Sequence, residues 1–187
     1  ALVRSAGRMG YIDPQGQFIF PLEYDGMGPF SDGLAWARKG LVWNYIDPTG
    51  QIAIKDIKHE VGNFSNDRAH INVGKKTGFI DKTGQLVIDA KFDFAGGFHE
   101  GLAWVANGGK LGYIDLDGNL VVKMDYEFET PEVCGNFIEG RAFVIKKYLF
   151  GSIDRNGKWV VKNKYHVVAS YQDGIARVEL GLRREKK

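Results

Sequence analysis

The sequence has little of several features that would place it in a familiar class of protein. Its single cysteine, Cys134, excludes an internal disulfide framework. Its 25 basic and 23 acidic residues give a formal net charge of +2, too small to attract nucleic acid or an anionic membrane surface. No apolar run approaches the ~18 residues of a membrane-spanning helix. We therefore predict a soluble chain with no nucleic-acid partner and no membrane insertion. Its compartment stays open, with an extracytoplasmic location slightly favoured.

Proline is scarce as well, whereas glycine is plentiful. The chain has 5 prolines and 25 glycines among 187 residues, and its glycine content is about twice the ~7% of average usage. Many glycines between short apolar stretches indicate many tight turns. The sequence therefore favours short β-strands over long helices.

The chain contains five copies of one motif, which reads aromatic-Ile-Asp-x-x-Gly in four copies and has serine as its first residue in the fifth. Its aspartates are Asp13, Asp47, Asp81, Asp115 and Asp154. Their spacings of 34, 34, 34 and 39 residues are too regular for chance. We therefore predict tandem repeats, which set the fold of the whole chain over residues 1–187 as a single domain.

A second motif runs in phase with the first: an aromatic residue is followed three residues later by glycine or aspartate and five residues later by alanine. Its aromatic residues are Phe30, Phe64, Phe98, Phe137 and Tyr171. Their spacings of 34, 34, 39 and 34 residues place a five-residue insertion within residues 123–135. This stretch contains Thr130-Pro131-Glu132 and is the one irregular part of the array.

Each repeat is predicted to be an antiparallel meander of three or four strands. In one copy, a strand over residues 101–106 is followed by Asn107-Gly108-Gly109, a strong hairpin signal, and by a second strand up to Asp115. A turn ending at Gly118 leads to a short third strand over residues 120–122. One meander buries too little apolar surface to fold alone, so we expect the repeats to stack and share a core. The expected core contains the isoleucines, the aromatics and the alanines of the two motifs, including Ile80 and Ile114.

The two motifs and their phase resemble the bacterial WG (KWG) repeat family over nearly the whole chain. The resemblance implies a repetitive β architecture that binds or scaffolds, with no catalytic residues to carry over. The Trp-Gly pair that names the family is degenerate here. Its position holds Met9-Gly10, Trp43-Asn44, Thr77-Gly78, Leu111-Gly112 and Phe150-Gly151.

The repeats can stack in an open array or close into a ring. The sequence contains six copies of the first strand and five of every other part of the repeat. A ring closes when one terminus completes the repeat of the other, so a surplus strand favours the open form. We predict an all-β, solenoid-like superhelical array, with a closed propeller-like ring as the alternative.

Chemistry-bearing residues form no catalytic or metal-binding pattern. The sequences around Asp115 and Asp154 resemble part of a calcium loop but lack its later acidic ligands, so we interpret these aspartates as turn residues. His59 and His166 share one repeat position with acidic residues and are interpreted as a solvated edge. Cys134 has no histidine at a motif distance, which favours an unreactive thiol. We predict no metal, no cofactor and no enzymatic activity.

Trp36 and Trp104 occupy one position two repeats apart, where the other copies have His70, Phe143 and Arg177. A position that mixes aromatic and polar residues is often half-exposed, and aromatic rows on β-repeats stack on sugars or anchor peptides. Packing between repeats is the alternative. The main hypothesis is a non-catalytic binding or scaffold module for a protein partner, with residues 124–134 as its specificity loop. The second is a glycan or cell-wall binder that uses Trp36 and Trp104.

Overall fold

The computed structural model describes residues 1–131, 135–169 and 171–180, and these residues form antiparallel β-strands connected by tight turns. The chain divides into two compact units, Ala1–Lys91 and Phe92–Lys187. The first unit contains β1 (Leu2–Ser5), β2 (Arg8–Ile12), β3 (Phe18–Tyr24), β4 (Gly26–Met27), β5 (Ala35–Lys39), β6 (Val42–Ile46), β7 (Ile52–Ile57), β8 (Glu60–Val61), β9 (Ala69–Val73), β10 (Lys76–Ile80) and β11 (Leu86–Phe92), the last of which ends at the boundary. The second contains β12 (Phe94–Ala95), β13 (Ala103–Asn107), β14 (Lys110–Ile114), β15 (Leu120–Glu127), β16 (Arg141–Lys146), β17 (Leu149–Asp154), β18 (Trp159–Tyr165), β19 (Val167–Val168) and β20 (Val178–Glu179). The prediction of a single domain stays a prediction.

The prediction of an all-β repeat fold with antiparallel meanders is confirmed. Strands β4 to β7 form one four-stranded sheet in chain order, and β8 to β11 form another. In the second unit, β12 to β18 form one seven-stranded sheet, in which β15 and β16 are joined only by the pair Glu127 and Ile145. Each four-stranded set begins with a two-residue strand and continues with three longer ones.

One detail of the predicted meander is wrong. The strand that begins at Leu120 does not stop at Val122 but continues to Glu127, because a bulge lets it run on alongside β14. The fourth strand of the meander is the short edge strand Phe94–Ala95, which pairs with β13. The repeat is therefore four-stranded, and its shortest strand comes first.

The two predicted turns are present. Asn107 pairs with Lys110, and both glycines between them have positive φ, 54° and 73°, as a two-residue hairpin turn of the primed type requires. In each of the five Asp-x-x-Gly turns, the aspartate Oδ1 accepts hydrogen bonds from the amides two and four residues later, at distances of 2.8 to 3.1 Å. The interpretation of these aspartates as turn residues is therefore confirmed.

The aromatic-x-x-Gly motif forms a further tight turn that the sequence did not indicate. The residue before the glycine position also has positive φ, for example 51° at Asp32 and 54° at Glu139. These turns contact each other from one repeat to the next. Asp32 Oδ2 accepts a hydrogen bond from the amide of Asp67 at 2.9 Å, and Glu139 Oε2 accepts one from the amide of Gly174 at 2.7 Å.

The glycine of the degenerate Trp-Gly pair is required by close backbone packing. A Cβ added at Gly112 would lie 2.5 Å from the carbonyl oxygen of Val122, because the bulge of β15 folds over it. The copy with Asn44 in this place has a shorter bulge. There Asp56 takes a φ of 61°, and its amide donates a hydrogen bond of 2.9 Å to Asn44 Oδ1.

The core consists largely of the residues that recur in each repeat. Four of the five motif isoleucines are buried, including Ile80 and Ile114, as are Phe64, Phe98, Phe137 and four of the five motif alanines. The exceptions are half-buried and belong to the first or last copy of their series: Ile12, Phe30, Tyr171 and Ala176. Burial is therefore lost only in end copies, although two other end copies, Ala35 and Ile153, are fully buried.

Aromatic pairs connect neighbouring repeats. Tyr45 meets Phe64 with ring centroids 4.7 Å apart, and its hydroxyl donates a hydrogen bond to the carbonyl of Gly62. Tyr113 and Phe137 repeat this geometry at 4.8 Å. Burial raises the pKa of the Tyr45 hydroxyl well above its ordinary value, so it stays a hydrogen-bond donor at all physiological pH values.

Candidate functional site

The second unit contains a cavity of about 450 Å³ beside the irregular interval of the array. Six of the residues that line it are Gly96, Trp104, Pro131, Arg141, Phe143 and Tyr171. They come from three successive stretches of the chain, which the stacking of repeats brings together. A cavity of this size, lined by both aromatic and polar groups, falls within the range of ligand-binding sites in proteins. This cavity, called here the aromatic pocket, is the candidate functional site.

Trp104 is held in the wall of the aromatic pocket by close contact with a glycine that directly follows the neighbouring strand. Gly96 follows β12 and lies under the indole ring, so close that an added Cβ would be 2.1 Å from Trp104 Nε1. Phe128 lies on the same ring with centroids 5.9 Å apart. The indole is only 7% exposed, so a ligand in the pocket reaches little more than part of its edge.

Another part of the lining is a stacked aromatic pair. Phe143 on β16 lies parallel to Tyr171, with centroids 4.9 Å apart and an interplanar angle of 2°. Tyr171 is anchored because its hydroxyl donates a hydrogen bond of 3.2 Å to Ser152 Oγ. These contacts hold both rings in place, so the wall of the pocket is largely preformed.

Arg141 supplies the cationic group of the aromatic pocket. Its guanidinium carbon lies 5.3 Å from the centre of the Tyr171 ring, within the range of a cation–π contact. In the part of the chain that the structure describes, its side chain makes no ion pair with a carboxylate. The neighbouring Glu139 carboxylate accepts the amide of Gly174, and Glu100 accepts the amide of Gly140. Arg141 is half-buried, and no carboxylate of the described residues occupies its N–H donors.

The five-residue insertion reaches the pocket through Pro131. Phe128 corresponds to Phe94 in the preceding repeat, and the two rings stack with centroids 5.0 Å apart. Gly135 then corresponds to Gly96, so residues 129–133 are the inserted segment. The longer segment predicted from the sequence, residues 124–134, also includes the end of β15 and the buried Tyr126.

The other tryptophan of the predicted site lies elsewhere. Trp36 is in the first unit, half-buried over Gly28, and its ring is 5.0 Å from that of Trp43. His70 occupies the same repeat position over Gly62, with Nδ1 buried and without a hydrogen-bond partner in the described residues. Burial lowers the pKa of His70, and the nearby Glu60 opposes this only in part. The assignment of Trp36 and Trp104 to ligand binding stays a prediction.

The row of titratable residues interpreted as a solvated edge is divided. His59 and His166 are exposed, whereas Asp25 and Glu127 cap hairpins of the adjacent strands. Asp25 accepts the amide of Gly40, which lowers the pKa of its carboxyl group. Glu127 accepts the amides of Tyr148 and Lys147, which lowers its pKa in the same way. Cys134 lies outside the described residues.

A second, shallower cleft of about 490 Å³ occupies the first unit, next to the shortened bulge. Its floor contains Ile54, Ile71 and Ile80, and His59 lies at its rim. The sequence pointed to this place only through Asn44, the one copy without the glycine. In the described residues, the ring of His59 makes no hydrogen bond that would orient it for acid–base chemistry.

The described residues lack two further functional features, a cluster of metal ligands and a membrane-spanning helix. No group of three His, Cys, Asp or Glu side chains among them comes together as a metal site would need. Over the same residues, the structure contains no helix with the length and apolar character that crossing a membrane requires.

Comparison with protein families gives one match. The sequence model of a family described as "WG containing repeat" matches residues 9–43, 78–110, 112–149 and 150–181, which together are more than half of the chain. The unmatched interval between the first two stretches begins at Asn44, where the glycine is missing. No curated protein matches the chain by sequence.

Comparison with solved structures shows likeness at the level of the fold. KlHsv2 with loop 6CD replaced by a Gly-Ser linker matches with a TM-score of 0.56 and 11% identity, over 86% of this chain and 60% of that one. The extracellular domain of a putative one component system from B. thetaiotaomicron matches with a TM-score of 0.49 and 13% identity, over 87% of this chain and 29% of that one. A protein of unknown function from Bacteroides caccae matches with a TM-score of 0.40 and 14% identity, over 86% of this chain and 76% of that one. The chain thus spans less than two thirds of the first two structures named here.

Proposed function

The chain belongs to the WG repeat family, and on this premise we propose that it is a non-catalytic binding or scaffold module for a protein partner. The observation that carries the proposal is the aromatic pocket at the one irregular interval of the array. Everywhere else the recurring polar residues serve the fold, as Asp115 does in its turn and Glu127 does at its hairpin. A binding site formed where the repeat pattern is interrupted gives a partner one specific position on an otherwise repetitive surface.

Protein recognition suits the chemistry of the aromatic pocket. Interfaces between proteins are enriched in tyrosine, tryptophan and arginine, which act as anchors in preformed pockets. Trp104, Arg141 and Tyr171 supply one of each. Because Phe143 and Tyr171 already stack on each other, little side-chain entropy is lost when a partner is bound.

The absence of catalysis is part of this proposal. Catalysis needs a set of groups oriented by one another, such as a base held by a hydrogen bond next to a nucleophile. The exposed His59 beside the second cleft is the nearest candidate base, and it lacks such an orienting contact in the described residues. A binding role needs only shape and complementary charge, and the aromatic pocket offers both.

The loop is tested by deleting residues 129–133, which restores the spacing of 34 residues and spares β15. A second variant replaces the same five residues with glycine and serine, which keeps the length of the segment and removes its native side chains. Purified chains are used as bait in a bacterial lysate, and recovered partners are compared by mass spectrometry. We expect both variants to lose the partners that the unaltered chain recovers. Unchanged recovery by both would argue against the insertion as the specificity element.

Glycan binding through Trp36 and Trp104 is the alternative that we keep, because Trp36 is only half-buried and forms an aromatic pair with Trp43. A glycan array compares the unaltered chain with the double variant Trp36→Ala and Trp104→Phe, in which phenylalanine fills most of the buried indole site. Binding that survives in this variant would eliminate the alternative.

The open arrangement of the five repeats also belongs to the proposal. Contacts such as Tyr45 to Gly62 and Glu139 to Gly174 join each repeat to the next one within a unit. The same contacts can continue into a superhelical array, and a closed propeller-like ring is the alternative. Small-angle X-ray scattering distinguishes the two, since a ring has the smaller radius of gyration.

A further inference from the structure

Arg141 gives the aromatic pocket a chemical preference that its aromatic walls do not. A guanidinium group has five N–H donors in a planar fork and no acceptor, and it matches the two oxygens of a carboxylate. Arg141 is half-buried against the face of Tyr171. Half-burial raises the strength of an ion pair formed there, because water screens it less than on the open surface.

Asn136 adds a further N–H donor to the lining of the pocket. Its amide NH₂ makes no hydrogen bond within residues 1–131, 135–169 and 171–180. No acidic side chain of the described residues lines the pocket. A pocket with a guanidinium, an amide donor and no acid selects a ligand that supplies acceptors and negative charge.

The shape of the site favours a peptide over a sugar as the carrier of that charge. A sugar ring stacks on an open aromatic face, whereas Trp104 and Phe143 are only 7% and 9% exposed. A side chain or chain end enters such a pocket end-on. About 450 Å³ is within the range of pockets that hold a small organic group.

We infer that the aromatic pocket binds a carboxylate of a peptide, with the guanidinium of Arg141 as its main contact and Asn136 as a second donor. The inference rests on the proposed function, since it names the chemistry by which the protein partner is held. The carboxylate belongs either to the C-terminus of the peptide or to an aspartate or glutamate side chain.

The chain offers a matched control for Arg141. Arg68 occupies the same repeat position in the first unit, and its Nη1 donates a hydrogen bond of 3.1 Å to the carbonyl of Asp67. Arg141→Gln and Arg68→Gln therefore remove the same charge at equivalent places. Glu132→Gln, in the insertion, shows whether a carboxylate of the chain itself competes for Arg141.

The experiment uses an array of short synthetic peptides of random sequence, each anchored by its N-terminus. One copy of the array has free C-terminal carboxylates and the other has C-terminal amides. The fluorescently labelled chain is applied to both, and the best peptides are measured again in solution by fluorescence anisotropy. Binding only to free C-termini assigns the chain end, and binding to Asp or Glu peptides in both arrays assigns the side chain.

We expect Arg141→Gln to weaken peptide binding about tenfold or more, the loss of one charge-assisted contact. Arg68→Gln is expected to bind like the unaltered chain, and Glu132→Gln as tightly or more tightly. Four outcomes would overturn the inference. Arg141→Gln could bind peptides as tightly as the unaltered chain, or the best peptides could bind without a carboxylate. The arrays could capture no peptide, or oligoglucuronate could bind more tightly than the peptides.

The carboxylate inference and the proposed binding function fail in different experiments. If the insertion variants lose a protein partner that Arg141→Gln still recovers in full, the carboxylate inference fails and the binding function stands. If the insertion variants recover the same partners as the unaltered chain, the proposed role of this site fails, whatever the peptides do.

Discussion

The hydroxyl of Tyr171 donates a hydrogen bond of 3.2 Å to the hydroxyl oxygen of Ser152. In the repeat before it, the corresponding residues are Phe137 and Tyr113, and the tyrosine hydroxyl instead binds the carbonyl of Gly135. Two compensating changes in one chain thus keep an aromatic ring and a hydroxyl donor at the contact between repeats.

This relationship predicts a strong coupling between positions 152 and 171. Ser152→Tyr alone should destabilise the chain, because Ser152 is fully buried and the added ring would collide with Tyr171. Adding Tyr171→Phe restores the common pair, and the double variant should regain at least half of the lost stability. Urea unfolding of the four chains of the double-mutant cycle measures the coupling. Additive effects would show that the two positions are independent.

Gly112, the glycine of the Trp-Gly position in its repeat, should tolerate no side chain. Gly112→Ala places a Cβ 2.5 Å from the carbonyl oxygen of Val122 and should cost about 3 kcal/mol of unfolding free energy. The control is Gly97→Ala, where an added Cβ would have no heavy atom within 4 Å. Thermal and urea unfolding compare the variants, and similar midpoints for the two would contradict the close packing of the bulge.

The stability of the chain should fall as pH drops from 7 to 5 because of His70. Burial lowers the pKa of this residue in the folded state, so the unfolded chain takes up a proton first, below about pH 6.5. The contribution of neutral His70 to the free energy of unfolding is therefore fully present above that pH. It decreases as the pH falls towards the pKa of the folded state. His70→Trp, which copies Trp36 and Trp104, should remove this slope.

The matched control is His59→Gln, which removes a histidine that is exposed rather than buried. Urea midpoints at several pH values give the measurement. Asp47 and Asp81 do not interfere, because hydrogen bonds from the hydroxyl groups of Thr49 and Thr83 lower the pKa of these two carboxyl groups. A slope that persists in His70→Trp would assign the effect to another group.

The insertion should be dispensable for folding although it borders the pocket. Removing residues 129–133 joins Phe128 to the segment before Gly135, as in the regular repeats, and the melting temperature should change by only a few degrees. Removing residues 124–128 deletes the same number of residues but takes away the buried Tyr126 and the stacked Phe128, and should abolish cooperative unfolding. Circular dichroism melts compare them, and equal stability would show that β15 is not part of the core.

Much of the fold was predictable because its cause is local. The turns at Gly118 and Asn107-Gly108-Gly109 follow from the positive φ angles that glycine takes easily. The regular position of these turns in each repeat accounts for the regular motif spacing. The length of β15 was not predictable, since its bulge depends on contact with Gly112 on another strand. The candidate site was found only in part: Trp104 was named for binding, Tyr171 was assigned to the core as a motif aromatic, and Arg141 was not singled out.

The sequence by itself determined the repeat, its period, its turns and its buried columns, because each rests on residues close together in the chain. The tertiary structure decided which side chains became a site. Trp104, Arg141 and Tyr171 belong to three different passes of the chain, and the packing of repeats against one another brings them to one cavity. Contacts of this kind depend on the stacking of sheets, which the pattern within a single repeat does not encode.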